Sequence, residues 1–202
     1  MRPTRLVKPL LRSSLCGLLP AMAWAEPSLD PRFLPPPPPA VVQDVAAAQL
    51  QVDRYAMGAL GSWAAVNLVA GTAGAFALDD PRARALAQGS AAWNVVNAGL
   101  AVGGLRAAKR RAMTAPSWPS LALEGERSRG VFLLNAGLDV GYMAAGLWLR
   151  ERGARAERPE LQGYGDALLV QGGFLFMFDL TMVVVKARAD RPLRPYVQAE
   201  TP

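Results

Sequence analysis

In 202 residues, enough for one domain, the chain has no histidine and a single cysteine, which removes imidazole zinc sites, histidine-ligated haem and both Ser-His and Cys-His catalysis. Apolar residues make up 51% of it, and the charged ones cluster between long runs that lack them, the pattern of a membrane protein rather than a soluble one. The net charge of +6 makes no case for nucleic acid: four of the 22 basic residues sit in an acid-free N-terminal leader, and without it the charge is only +2.

Residues 1–25 read as a signal peptide. Arg2, Arg5, Lys8 and Arg12 form a positive n-region, SSLCGLLPAMA is a short apolar stretch, and Ala23-Trp24-Ala25 is a small-x-small cleavage pattern. Cys16 lies in this leader, preceded by Leu15 where lipidation wants a small residue. The mature chain therefore has no thiol for a disulfide or a thiolate metal site. Residues 26–40 are a proline-rich linker whose run Pro35 to Pro39 favours an extended spacer. Over 41–54, Val41, Val45, Ala48 and Val52 recur at helical spacing, with Asp44, Gln51 and Asp53 elsewhere on the wheel, which predicts an amphipathic lead-in helix.

Four transmembrane spans are predicted next, at about 55–78, 85–105, 130–149 and 167–185, in a helical membrane domain of 41–188 with a polar tail at 189–202. Each reaches the roughly 20 residues that ~30 Å of hydrocarbon requires. Arg129, Arg150, Lys186 and Arg188 stand at span ends, where they can snorkel, and Tyr55 and Trp148 suit the headgroup level. The expected fold is all-α, an up-down four-helix transmembrane bundle in the inner membrane of a bacterium. Its orientation is contested. The leader exports the N-terminus, which places 12 basic residues outside and 6 inside, against the positive-inside rule. With the leader as a signal the N-terminus is exported; a leader that stays cytoplasmic would bring the two indicators into agreement.

Polar residues inside the spans are few: Asn67, Asn94, Asn97, Asn135, Asp139, Gln171, Asp179 and Thr181. Counted from span midpoints at 1.5 Å per residue, with neighbouring helices antiparallel, Asn67, Asn94, Asn97, Asn135, Asp139 and Asp179 fall within roughly 7 Å of the midplane. Gln171 falls on the other side, near the level of Tyr142. Asn135, Asp139 and Tyr142 form one stripe at i, i+4, i+7. Lipid offers such groups no partner, so the stripes are expected to face inward and meet as a buried polar layer. Small residues at Gly99 and Gly103, and at Gly137, Gly141 and Ala145, would let the helices approach closely. NAGLAVG from Asn97 and NAGLDVG from Asn135 are nearly the same heptapeptide, and Trp-x-x-x-Asn recurs at Trp63/Asn67 and Trp93/Asn97. Duplication and chance both account for this; either way, like motifs on antiparallel neighbours would bring amides together.

The two acids set the chemistry. No lysine or arginine within a span can pair with Asp139 or Asp179, and a lone carboxylate there costs several kcal/mol. The choices are a protonated acid bonded to amides, a bound cation, or a wet cavity. The first makes the layer a device for helix register; the second makes it a proton or cation site. Intramembrane aspartyl proteases use Tyr-Asp and Gly-x-Gly-Asp motifs, which GLD and FMFD do not match.

The segments LQVDRYAMGALGSWAAVNLVAG, AAWNVVNAGLAVGG, FLLNAGLDVGYMAAGLWLRERG and LQGYGDALLVQGGFLFMFDL, within about 49–186, resemble an uncharacterised group of small bacterial four-span membrane proteins, classed as a domain of unknown function. NAGLDVGY, GYG and QGGFLFMFD are its most specific parts. The resemblance implies a shared helical membrane domain in which Asn97, Asn135, Asp139, Tyr142, Gln171 and Asp179 recur, and it brings no reaction or ligand. The expected function is that of a non-enzymatic integral membrane scaffold or partner-binding subunit. The alternative is a small proton or cation carrier using Asp139 and Asp179. No cofactor and no metal are expected; the partners are the lipid bilayer and another membrane protein or a second copy.

Overall fold

The structure is a computed structural model that describes residues 36–197; the signal peptide, most of the proline-rich linker and the end of the tail lie outside the described residues. Four long helices dominate. They are α1 (Pro39–Ala77), α2 (Pro81–Arg111), α3 (Trp118–Arg155) and α4 (Pro159–Ala189). A 3₁₀ turn, Arg191–Leu193, and the one-turn α5, Arg194–Val197, follow. Among the described residues the chain is all-helical.

Proline fixes where each long helix begins. Each has a proline in its first two positions, where the missing N–H would have had no partner and the fixed φ already suits a helix. Asp80 caps α2 by accepting from the Ala83 N–H at 2.7 Å. Lys109, Arg110 and Arg111 close its last turn, where cations suit the negative end of the helix dipole. Each expected span lies almost wholly within one long helix, and the expected lead-in segment is continuous with the first span as the N-terminal part of α1.

Glycine sets how the helices meet. A Cβ added at Gly71 would lie 2.9 Å from Ala91 N, and one at Gly61 would lie 3.4 Å from the Ala101 Cβ, so α1 and α2 run antiparallel in close contact. Gly165 and Gly146 face each other across α3 and α4: an added Cβ at Gly165 meets Gly146 O at 2.6 Å and Arg150 N at 2.7 Å. These two hairpins join through α2 and α4, where Gly163 lies on Ala85 and Gly89 on Ala167. Both numbers rise together there, so α2 and α4 run parallel in direct contact, against the expectation that neighbouring helices are antiparallel.

The small-residue rows expected to bring helices together do not. A Cβ at Gly99, Gly103, Gly137 or Gly141 would find nothing within 4 Å. The NAGLAVG and NAGLDVG segments turn their glycines outward, because the facing surfaces of α2 and α3 hardly touch once α2 lies on α4. The interior is built instead from alanine: Ala56, Ala64, Ala101, Ala108 and Ala136 are buried, while Val66, Val69, Phe76, Leu134 and Met177 are exposed. Small residues inside and large apolar ones outside invert the order of a water-soluble protein. Three helices, α1, α3 and α4, are long and apolar enough to cross a membrane. The expected span in α2 is not among them, because Gln88, Asn94, Asn97 and its glycines lower its mean hydropathy.

Candidate functional site

The polar interior has two tiers within the apolar length of the helices. The first is an amide network centred on Gln171, which is fully buried. Its Oε1 accepts from Trp63 Nε1 at 2.9 Å and from Asn94 Nδ2 at 2.9 Å, and its Nε2 donates to Asn67 Oδ1 at 3.0 Å. Asn97 Nδ2 donates to Asn94 Oδ1 at 3.1 Å. Asn67 and Asn94 each donate back to the carbonyl one turn earlier, of Trp63 and Ser90. No buried amide atom of this tier lacks a partner among the described residues. Three helices are thereby tied through neutral hydrogen bonds, the form of polarity that hydrocarbon tolerates.

Gln171 corrects the depth expectation, which put it on the opposite side of the midplane from the asparagines. A depth count from a span starting near residue 167 misplaces it, because α4 starts at Pro159. The parallel contact of Gly89 with Ala167 sets the register of α4 on α2, and four to five residues further along, Asn94 meets Gln171. Trp63 is a member the sequence reading missed as a donor. Its signal was the Trp-x-x-x-Asn spacing, which stacks Trp63 and Asn67 on one face of α1.

The second tier is acidic. Asp139 on α3 and Asp179 on α4 are 3% and 4% exposed, and the close antiparallel packing of the two helices sets the acids near each other. Asp139 Oδ2 has no partner among the described residues. Gly172 makes the approach possible, since a Cβ there would lie 3.2 Å from Asp139 O. Two residues expected in the layer stay apart from it. Tyr142 is 37% exposed and sets its ring edge-on to Trp93, centroids 4.8 Å apart. Asn135 is half-buried and makes no side-chain hydrogen bond among the described residues.

A third polar cluster lies beyond the apolar segments and was not foreseen. Asp53 of α1 takes both Lys186 of α4 and Arg111 of α2, and Arg111 also reaches Glu124 of α3 at 2.8 Å. Gln49 Nε2 donates to Leu121 O at 3.0 Å and to Asp190 Oδ1 at 2.7 Å. Arg129 Nε lies 3.8 Å from Asp190 Oδ2. Burial raises the Asp190 carboxyl above the usual value, against the pull of Gln49, Arg129 and Lys186. Lys186 was expected to snorkel; it is 3% exposed and turned inward, because Asp53 supplies a counter-charge nearer than the surface. The spacing of Val41, Val45, Ala48 and Val52 puts Asp53 off the apolar face. The stripe that is buried runs Val45, Gln49, Asp53, Ala56, Leu60, Ala64, a regular i+4 and i+3 series that was visible but passes through two polar residues.

Among known proteins, a family model described as a family of unknown function (DUF6992) matches residues 59–180. That stretch contains the amide tier and both acids. No curated protein and no solved structure matches the chain.

Proposed function

Because the chain belongs to that family of unknown function, which assigns it no activity, we propose from its geometry that it is a non-enzymatic membrane scaffold or partner-binding subunit, a four-helix transmembrane bundle with the first part of α1 as lead-in. The setting is a bacterial inner membrane, with α2 as the fourth span. α2 keeps Val95, Val96 and Leu100 about 60% exposed, a face suited to acyl chains. The observation that carries the scaffold reading is the closed amide network: its groups are matched to one another, which favours fixing helix register over holding a ligand. The outward rows at Gly99/Gly103 and Gly137/Gly141 support it, since flat small-residue rows admit another helix closely. A photo-crosslinking residue at Gly137 should capture a membrane protein in cells, and Gly141→Leu should abolish the adduct while leaving the fold intact. Absence of an adduct, or one indifferent to Gly141→Leu, removes this reading. The leader orients the chain with its N-terminus exported. An N-terminal tag that labels only after permeabilisation reverses that orientation.

A second reading rests on the facing acids. Two buried acids near each other, one carboxyl oxygen without a partner, suit a site that holds a proton or a small cation. In vesicles, Asp139→Asn and Asp179→Asn would each abolish a pH- or cation-driven flux. If wild type shows none and both variants change only thermal stability, the carrier reading fails.

A further inference from the structure

α1 and α4 share few contacts, and between them lies an open groove of about 620 Å³. Tyr55, Ala59 and Val66 of α1 form one wall, Phe174, Phe178 and Met182 of α4 the other. Trp63 lies flat on Phe174, centroids 3.9 Å apart, as part of its lining. The hydroxyl of Thr181, which also lines it, is already bonded to Met177 O, so the surface offered is almost wholly apolar.

The groove's length selects its occupant. From Tyr55 to Val66 is eleven helical steps, roughly 16 Å, about half of ~30 Å of hydrocarbon. Tyr55 is the expected start of the first span and Val66 its middle, so the groove serves one leaflet and stops. A helix from a second copy would need a groove across both leaflets; an acyl chain needs one.

Charge selects the headgroup. Beyond the apolar segments, the described residues at the Tyr55 end hold eleven lysines and arginines against five acids, while the opposite end holds six of each. Arg111, Arg129 and Lys186 are committed to the internal cluster. Arg188, Arg191 and Arg194 are exposed and make no ion pair among the described residues. Arg188 stands two turns beyond Thr181 on the same stripe of α4, directly in line with the groove. The 3₁₀ turn that follows packs on α1.

We propose that the α1/α4 groove binds one acyl chain of an anionic phospholipid whose phosphate lies against Arg188. This rests on the membrane reading above. A guanidinium at the headgroup level is suited to a phosphate diester, and each cation near an anionic surface favours it by about fivefold in binding.

Trp63 is the reporter. In full-length protein with Trp24, Trp93, Trp118 and Trp148 changed to Phe, reconstituted in phosphatidylcholine vesicles, brominated acyl chains on phosphatidylglycerol should quench Trp63 saturably at low mole fraction. Brominated phosphatidylcholine should need about fivefold more or greater. Arg188→Gln, an exposed change that leaves the fold alone, should lower the phosphatidylglycerol preference about fivefold. Ala59→Phe, which fills the groove, should reduce quenching by both lipids, with circular dichroism confirming the fold. Quenching that tracks mole fraction equally for both lipids and ignores Arg188→Gln overturns the proposal. So does quenching that falls as protein density in the vesicles rises, which gives the groove to a second copy. A chain that stays soluble without detergent overturns the membrane reading instead.

Discussion

Replacing Gln171 with methionine tests the amide network at its centre. Methionine keeps the length and flexibility of the side chain and removes its three hydrogen bonds, to Trp63, Asn94 and Asn67. Buried hydrogen bonds between membrane helices average ~0.6 kcal/mol and reach ~1.7. Three of them amount to roughly 2 kcal/mol and at most about 5. The Trp63 N–H would lose its partner, which pushes toward the upper part of that range. Asn94 would still bond to Ser90 and Asn97, and Asn67 to Trp63 O, so the rest of the tier stays largely paired. Unfolding in bicelles by steric trapping gives the free energy directly. A double-mutant cycle with Asn67→Leu should return a coupling of about 0.6 kcal/mol for the one shared bond. A Gln171→Met protein as stable as wild type, or more so, would show that the network does not hold the helices in register.

Gly165→Ala places a methyl against backbone atoms of α3 and should cost about 1–3 kcal/mol, whereas Gly141→Ala, facing outward, should cost nothing; equal effects would refute the assigned contacts. Asp53→Asn removes the only carboxylate in direct ion-pair contact with buried Lys186 among the described residues, leaving it Asp190 at longer range, and should destabilise by about 3–5 kcal/mol, measured by the same unfolding assay; a loss under ~1 kcal/mol would mean the cluster is solvated. Asp190 has a folded-state pKa raised by burial, so its stabilising contribution is full below the ordinary carboxylate value near 4 and is lost as pH rises through the raised one. A melting-temperature profile from pH 4 upward should therefore fall less steeply for Asp190→Asn than for wild type; parallel profiles would exclude Asp190 as the titrating group.

The long helices were legible because length and apolar content are local properties of the chain, punctuated by Pro39, Pro81, Pro119 and Pro159. The inward turn of Asn94, Asn97, Asp139 and Asp179 followed from the absence of partners in lipid. Which helix faces which was not legible. The spacing of Gly99 and Gly103 is the same as that of a packing row, yet the faces in use run through Gly71, Gly89, Gly146 and Gly163. Periodicity ranks faces by composition, and α2 has more than one small face. The Asp53 and Lys186 pair was hidden for a related reason: each looks like a solvated flanking charge until the helix pairing brings them together.

The backbone-to-backbone seam at Gly146 and Gly165 also constrains divergence. When homologues are aligned, columns 71, 146, 163 and 165 should hold glycine, while 99, 103, 137 and 141 drift among small and medium residues. A descendant that acquires bulk at 146 or 165 must spread α3 from α4, and in doing so it separates Asp139 from Asp179. Drift along that seam would therefore erase the acid pair without any change at the acids themselves.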